Sequence, residues 1–179
     1  MSMKSDPADQ LEEVGQVVEQ LTNLGLEPVL VGGMALVMLG SRRVTRDFDF
    51  VIARPDARLE PLLDVFYERG MELASRVNAN GDVIATIGSR KVAAIRLRID
   101  APVTVYFFDR ETDLRIDLLF DFPLPASTLL ENATRKKVRS QVFRIASEED
   151  LLRLKKIATT HRSVPSDAED IAFLEARRS

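Results

Sequence analysis

The sequence predicts an α+β fold, a mixed or mostly antiparallel sheet flanked by helices and closed by a C-terminal helical pair. Three features carry that expectation. A short apolar strand meets Gly32-Gly33 and passes into a run of helix formers. Residues 73–122 then alternate apolar stretches with Gly, Asn, Asp and Pro, the pattern of successive strands. Last, Ser147 with Asp150 and Ser166 with Glu169 resemble capping boxes ahead of two helical stretches.

In chain order, Leu11, Val14, Val17, Val18, Leu21 and Leu24 recur at helical spacing and Gly25 suits a C-terminal cap, so residues 8–24 read as an amphipathic helix. Pro28–Val31 is a strand and Met34–Leu39 a helix. Phe48–Ile52 is a second strand, after which Pro55 opens a helix over 56–69 with Leu59, Leu62, Leu63 and Phe66 on one face. Strands follow at Val83–Ile87, Val92–Ile99, Val103–Phe108 and Leu114–Phe120. Pro125–Ala133 reads as helix, Val138–Ile145 as extended, and the capped helices run to about residues 160 and 177.

The 179 residues suit one domain, 1–179, with a catalytic core over 1–134 and a basic C-terminal helical part over 135–179. Hydrophobic residues at 45% and charged residues at 30% are the balance of a soluble globular chain, and no apolar run reaches the length of a membrane span. The start, Met1-Ser2-Met3-Lys4-Ser5-Asp6, has no apolar signal core, so the expected location is cytoplasmic. With no cysteine, disulfides, thiolate zinc sites and cysteine nucleophiles are excluded, and a single histidine, His161, excludes a multi-histidine metal site. The net charge of −3 is unevenly spread: residues 1–134 carry 14 basic and 21 acidic side chains, residues 135–179 carry 11 and 7. Arg135, Lys136, Lys137, Arg139 and Arg144 form a basic run that suits phosphates or, equally, a solvated strand pair.

Asp47 and Asp49 are two apart on the expected strand, so both side chains leave one face with Cα atoms about 6–7 Å apart. Two such carboxylates repel unless a cation compensates them, and carboxylate oxygen is the ligand Mg²⁺ prefers. Upstream, Gly32 and Gly33 let backbone approach a ligand closely, and the helix that follows offers free N–H groups to phosphate. Between these elements runs Gly40-Ser41-Arg42-Arg43-Val44-Thr45-Arg46. Thr45 shares the parity of the two acids, and one of Arg42, Arg43 and Arg46 can neutralise a triphosphate. A third acid, Asp117, sits between Ile116 and Leu118 on an expected interior strand, where an aspartate is costly unless it meets a metal or a polar site.

Gly32-Gly33, Arg43-x-Thr45-x-Asp47-x-Asp49 and the lone strand aspartate Asp117 resemble the core of the DNA-polymerase-β-type nucleotidyltransferase superfamily. Val31–Leu36 with Gly40–Asp49 is more specifically similar to the AbiEii-type and related nucleotidyltransferase toxin groups. Ser147–Lys155, Arg162 and Asp167-x-x-Asp170-Ile171 resemble the C-terminal helical pair of those groups. The resemblance covers residues 29–52, 112–122 and 145–174. It departs at Gly33, where many members carry serine, and at Phe48, where Ile or Leu is usual; residues 73–108 have no counterpart.

The resemblance implies a metal-dependent enzyme that moves a nucleoside monophosphate from an NTP to a hydroxyl of a tRNA 3′ end, a protein or a small molecule. Asp47, Asp49 and Asp117 would be its catalytic and metal-binding residues, Asp47 and Asp49 bridging two Mg²⁺ (or Mn²⁺) ions and Asp117 completing the second site. Gly32, Gly33, Arg43 and Thr45 would bind the nucleotide, with Lys155 and Arg162 either reaching in from the C-terminal helices or lying on the surface. His161 is expected to be structural or exposed. The toxin groups imply a cognate antitoxin as partner. The alternatives are a catalytically silent nucleotide-binding or interaction module of the same fold, and a dimer built through residues 135–179.

Overall fold

The computed structural model describes residues 5–56, 58–100, 104–162 and 164–178. Residues 1–4 of the expected leaderless start, and Val103, expected to open a strand, lie outside the described residues. Asp6 caps helix α1 (Pro7–Asn23), its carboxylate accepting from the Ala8 amide, and the face carrying Val14, Val17 and Leu21 is fully buried. Strand β1 (Val29–Val31) turns at once into α2 (Gly32–Met38), and β2 (Phe48–Ile52) follows. Helix α3 (Glu60–Tyr67) starts at Glu60-Pro61 rather than at Pro55, because Pro61 occupies the first turn, where a missing N–H costs nothing.

Strands β3 (Glu72–Val77) and β4 (Val83–Ile87) form a hairpin through Asn78–Asp82, and β3 is a strand the sequence reading did not isolate. The strand expected over Val92–Ile99 is instead α4 (Arg90–Arg96), capped by Ser89 Oγ accepting from the Val92 amide. Val92 and Ile95 suggested a strand, yet they stay exposed on this helix while Ala93 is buried. Cap and small inward residue outweigh β-branching. Strands β5 (Thr104–Phe108) and β6 (Arg115–Phe120) and helix α5 (Ala126–Asn132) come next. The extended stretch expected over 138–145 is a hairpin of β7 (Thr134–Val138) and β8 (Gln141–Ile145), turning at Arg139 with φ +58°. The helical part expected from residue 135 therefore begins only at α6 (Glu148–His161), followed by α7 (Pro165–Arg178). Ser147 Oγ caps α6 by accepting from the Asp150 amide at 3.1 Å. No helix among the described residues is long and apolar enough to cross a membrane.

The strands make one eight-stranded sheet in the order β4-β3-β5-β6-β2-β1-β8-β7. It is mixed: β2 with β6 and β1 with β8 are parallel, and the other neighbours are antiparallel. The basic run thus lies on an outer hairpin, where charge on an edge strand discourages further pairing. Lys136 donates to the Met38 carbonyl, and Arg144 pairs with Glu27 at 3.3 Å. Phe50, Phe107, Leu118, Phe120 and Phe66 are among the fully buried side chains, and the Phe66 and Phe107 rings stack at 3.8 Å.

Candidate active site

Strand register sets one row of residues across four strands. Val31 of β1 is opposite Asp49 of β2, Asp49 is opposite Asp117 of β6, and Asp117 is opposite Tyr106 of β5. The two acids thus come from distant sequence and share one spot on one face of the sheet. They line a cavity of about 510 Å³ together with Gly32, Gly33, Arg43, Thr45, Asp47, Lys155 and Arg162. Asp47 and Thr45 reach it from the loop before β2, not from the strand as expected, since β2 begins at Phe48. Arg42 and Arg46 are exposed and outside the lining, which leaves Arg43 as the cation of that loop in the cavity.

The glycine pair is placed by contact. Gly32 has φ +69°, and a Cβ there would collide with the Asp49 Oδ2 atom. A Cβ on Gly33 would come 3.1 Å from the Arg43 guanidinium and 3.3 Å from Thr45 Oγ1. The turn from β1 into α2 therefore lies directly on the carboxylate and the loop cation.

Asp49 and Asp117 stand side by side in register, and each perturbs the other's carboxyl. Burial pushes the Asp117 carboxyl up to about 8; its bonds to Arg115 oppose the shift and the Asp49 charge adds to it. Burial also raises Asp49, with Asp117 beside it opposing and the Asp47 charge adding. Arg115, two residues before Asp117 and on its face, donates Nε and Nη2 to the two Asp117 oxygens at 2.7 and 3.0 Å. Its Nη1 donates to the Gly81 carbonyl at 2.6 Å, and its guanidinium lies 4.2 Å from the centre of the Tyr106 ring. Sequence reasoning passed over Arg115 and Tyr106, although Arg115 shares the parity of Asp117.

The opposite wall comes from α6 and α7. Lys155 Nζ lies 2.8 Å from Asp170 and 3.1 Å from Asp167, and Arg43 also pairs with Asp170. Arg162 reaches Asp167 at 3.8 Å. The Lys155 side chain is only 11% exposed and Arg162 is 60% exposed, so Lys155 belongs to the cavity wall and Arg162 to its rim. Asp167 Oδ2 and Asp150 Oδ2 are buried without a hydrogen-bond partner. His161 lines the cavity and is exposed.

The donor set fits a hard divalent cation: a buried and a half-buried carboxyl side by side with a third, Asp47, on the same cavity, and no soft ligand in its lining. Among the described residues no three acidic or imidazole groups are already converged into a metal cage. Arg115 meanwhile supplies the positive charge beside Asp117.

A family model described as "Nucleotidyl transferase of unknown function (DUF2204)" matches residues 10–175. Among solved structures, lincosamide antibiotic adenylyltransferase LnuA in its lincomycin-bound form is similar, at 12% identity and a TM-score of 0.56 over 92% of this chain and 95% of its own. The antibiotic-resistance factor ANT(2'')-Ia aligns at 11% identity and a TM-score of 0.60, over 97% and 86% of the two chains. An antigenic nucleotidyltransferase-like protein from Paracoccidioides brasiliensis aligns at 20% identity and a TM-score of 0.54, over 93% and 76%. At such identities the likeness establishes the fold. No curated protein sequence matches this chain.

Proposed function

Since the chain belongs to this nucleotidyl transferase family, we propose that the cavity transfers a nucleoside monophosphate from an NTP to an acceptor hydroxyl, with Asp47, Asp49 and Asp117 as its catalytic and metal-binding residues. The observation that carries the reading is the juxtaposition of Asp49 and Asp117 beneath Gly32, in a cavity whose walls hold Arg43 and Lys155. Mg²⁺ or Mn²⁺ held by the three carboxylates would neutralise the triphosphate and the departing pyrophosphate.

The chain's own residues bind and orient. Gly32 and Gly33 let the triphosphate approach the backbone, while Arg43, Thr45, Lys155 and Arg162 offer charge and hydrogen bonds to its oxygens. Asp170 holds the Arg43 and Lys155 cations side by side, so that they face the phosphates as one unit. The acceptor oxygen forms a bond to the α-phosphorus as the bond from phosphorus to the bridging oxygen breaks. That electron pair leaves with pyrophosphate, and the hydroxyl proton passes to a carboxylate oxygen of the site. Catalysis of this kind rests on positioning and charge neutralisation.

The resemblance to the AbiEii-type groups supports a toxin role with an antitoxin partner, and the acceptor is a tRNA 3′ end, a protein or a small molecule, the basic stretch over 135–144 favouring RNA. A second reading, a module that binds nucleotide without turnover, draws on Arg115, which already occupies both Asp117 oxygens. One experiment separates them: incubation with each α-³²P-labelled NTP, Mg²⁺ and total tRNA, beside an Asp47→Ala/Asp49→Ala variant. Label moved to RNA or protein by the wild type alone is expected. Metal-dependent nucleotide binding with neither transfer nor pyrophosphate release would favour the silent module.

A further inference from the structure

The pairing of β3 with β5 ends early. Glu72 is opposite Phe108 and Leu73 opposite Phe107, but the ladder goes no further, although β3 runs on to Val77 and β5 starts at Thr104. A second groove, of about 230 Å³, lies where the two strands part, walled by β3, by β5 and by the end of α4. Thr104 and Tyr106 line both this groove and the cavity that holds Asp49 and Asp117, so the two spaces share a wall.

Every charged residue lining the groove is an arginine: Arg76, Arg96 and Arg98. Arg98 is paired with Asp100 at 3.1 Å. Among the described residues the Arg76 and Arg96 side chains, both exposed, have neither an ion-pair nor a hydrogen-bond partner. Residues 75–99 contain one acid, Asp82, which accepts a hydrogen bond from Asn78. In a chain of net charge −3, this is a local concentration of uncompensated positive charge beside the reaction centre. Guanidinium groups match phosphate oxygens in geometry and stay charged at any working pH.

We propose that this groove is an acceptor subsite that binds a phosphate group of the acceptor through Arg76 and Arg96, while the acceptor hydroxyl passes Thr104 and Tyr106 into the cavity. The proposal rests on the transferase reading above. A phosphodiester strand and a small phosphorylated molecule carry the same chemistry, and two probes distinguish them: a fluorescein-labelled single-stranded RNA 12-mer, followed by anisotropy, and ribose 5-phosphate, followed by calorimetry. Both are measured in EDTA, on wild type and on Arg76→Glu/Arg96→Glu, with Arg76→Lys/Arg96→Lys as the charge-conserving control. Melting temperature and Mg²⁺–NTP binding are measured on the same proteins.

The expected result is that the charge reversal weakens one of the probes at least about ten-fold and lysine restores most of the loss, with Mg²⁺–NTP binding and melting temperature unchanged. For the RNA probe, the slope of log affinity against log salt falls by about 1.4, roughly 0.7 for each lost phosphate contact on a single strand. Loss confined to the RNA probe identifies a nucleic acid strand, and loss confined to ribose 5-phosphate identifies a small acceptor. If wild type binds Mg²⁺–NTP but neither probe, or binds both probes as tightly after the reversal, the subsite is refuted and the transferase reading stands. If wild type does not bind Mg²⁺–NTP at all, the transferase reading fails and the subsite fails with it.

Discussion

Asp49 and Asp117 are register partners on adjacent parallel strands, 68 residues apart in sequence, and line one cavity. Two acids held this way repel each other when both are ionised. Removing one of the charges relieves that repulsion. Above about pH 8, where Asp117 gives up its proton, Asp49→Asn is therefore expected to leave the metal-free protein as stable as wild type or more so, while lowering transfer at least about a thousand-fold, as loss of a metal ligand would. Thermal denaturation in EDTA beside a transfer assay checks both halves; a variant that unfolds readily would show that Asp49 is needed for folding instead.

The raised Asp117 value has a pH consequence. Its ordinary value is 3.8 and burial lifts it to about 8, so between these limits the folded chain binds more protons than the unfolded one. Stability from this group is full at low pH and is lost as pH rises from about 4 towards about 8. The melting temperature in EDTA should fall over that window, and Asp117→Asn should flatten the profile. An unchanged profile in the variant would place the proton elsewhere.

On the proposed reading Mg²⁺ would have to displace that proton, so its stabilising effect should be larger at pH 8.5 than at pH 6. The comparison is the shift in melting temperature on adding Mg²⁺ at each pH. Equal shifts would mean that the cation binds away from Asp117.

Gly32 touches Asp49 with no room for a side chain and has φ +69°. Gly32→Ala should abolish nucleotide binding or transfer and cost about 1–2 kcal/mol of stability from backbone strain alone. Gly33→Ser, which restores the residue many members of the resembled superfamily carry, faces contacts of 3.1–3.3 Å to Arg43 and Thr45 and should be milder. Urea unfolding and nucleotide titration of the two variants give the comparison.

Asp170 is 3% exposed and holds both Arg43 and Lys155. Asp170→Ala leaves two cations without their shared partner, with an expected cost of about 3 kcal/mol and a weaker grip on NTP. Asp170→Asn should lose nucleotide affinity with less loss of stability. Chemical denaturation paired with nucleotide titration distinguishes this from a purely structural role, in which affinity would not move.

Sequence alone determined several of the local elements and singled out most of the polar residues that line the cavity. Period 3.6 in residues 8–24, the capping serine Ser147, the glycine pair and the spacing of Asp47 and Asp49 act within a few residues, so composition and spacing suffice to read them. Asp117 was legible because an acid among apolar strand neighbours needs a reason. Tertiary structure decided the rest. The register of β2 against β6 sets Asp49 beside Asp117, the fold brings Asp170 to Arg43 across 127 residues, and Arg115 closes on Asp117 because both face one side of β6. The helix at Arg90–Arg96 was misread because β-branched Val92 and Ile95 imitate a strand, while the burial of Ala93 became visible only in the fold. The reason is common to all of these. Strand register and ion-pair partners are fixed by contacts between segments far apart in the chain, and a one-residue change of register would turn each of these acids to the other face of the sheet.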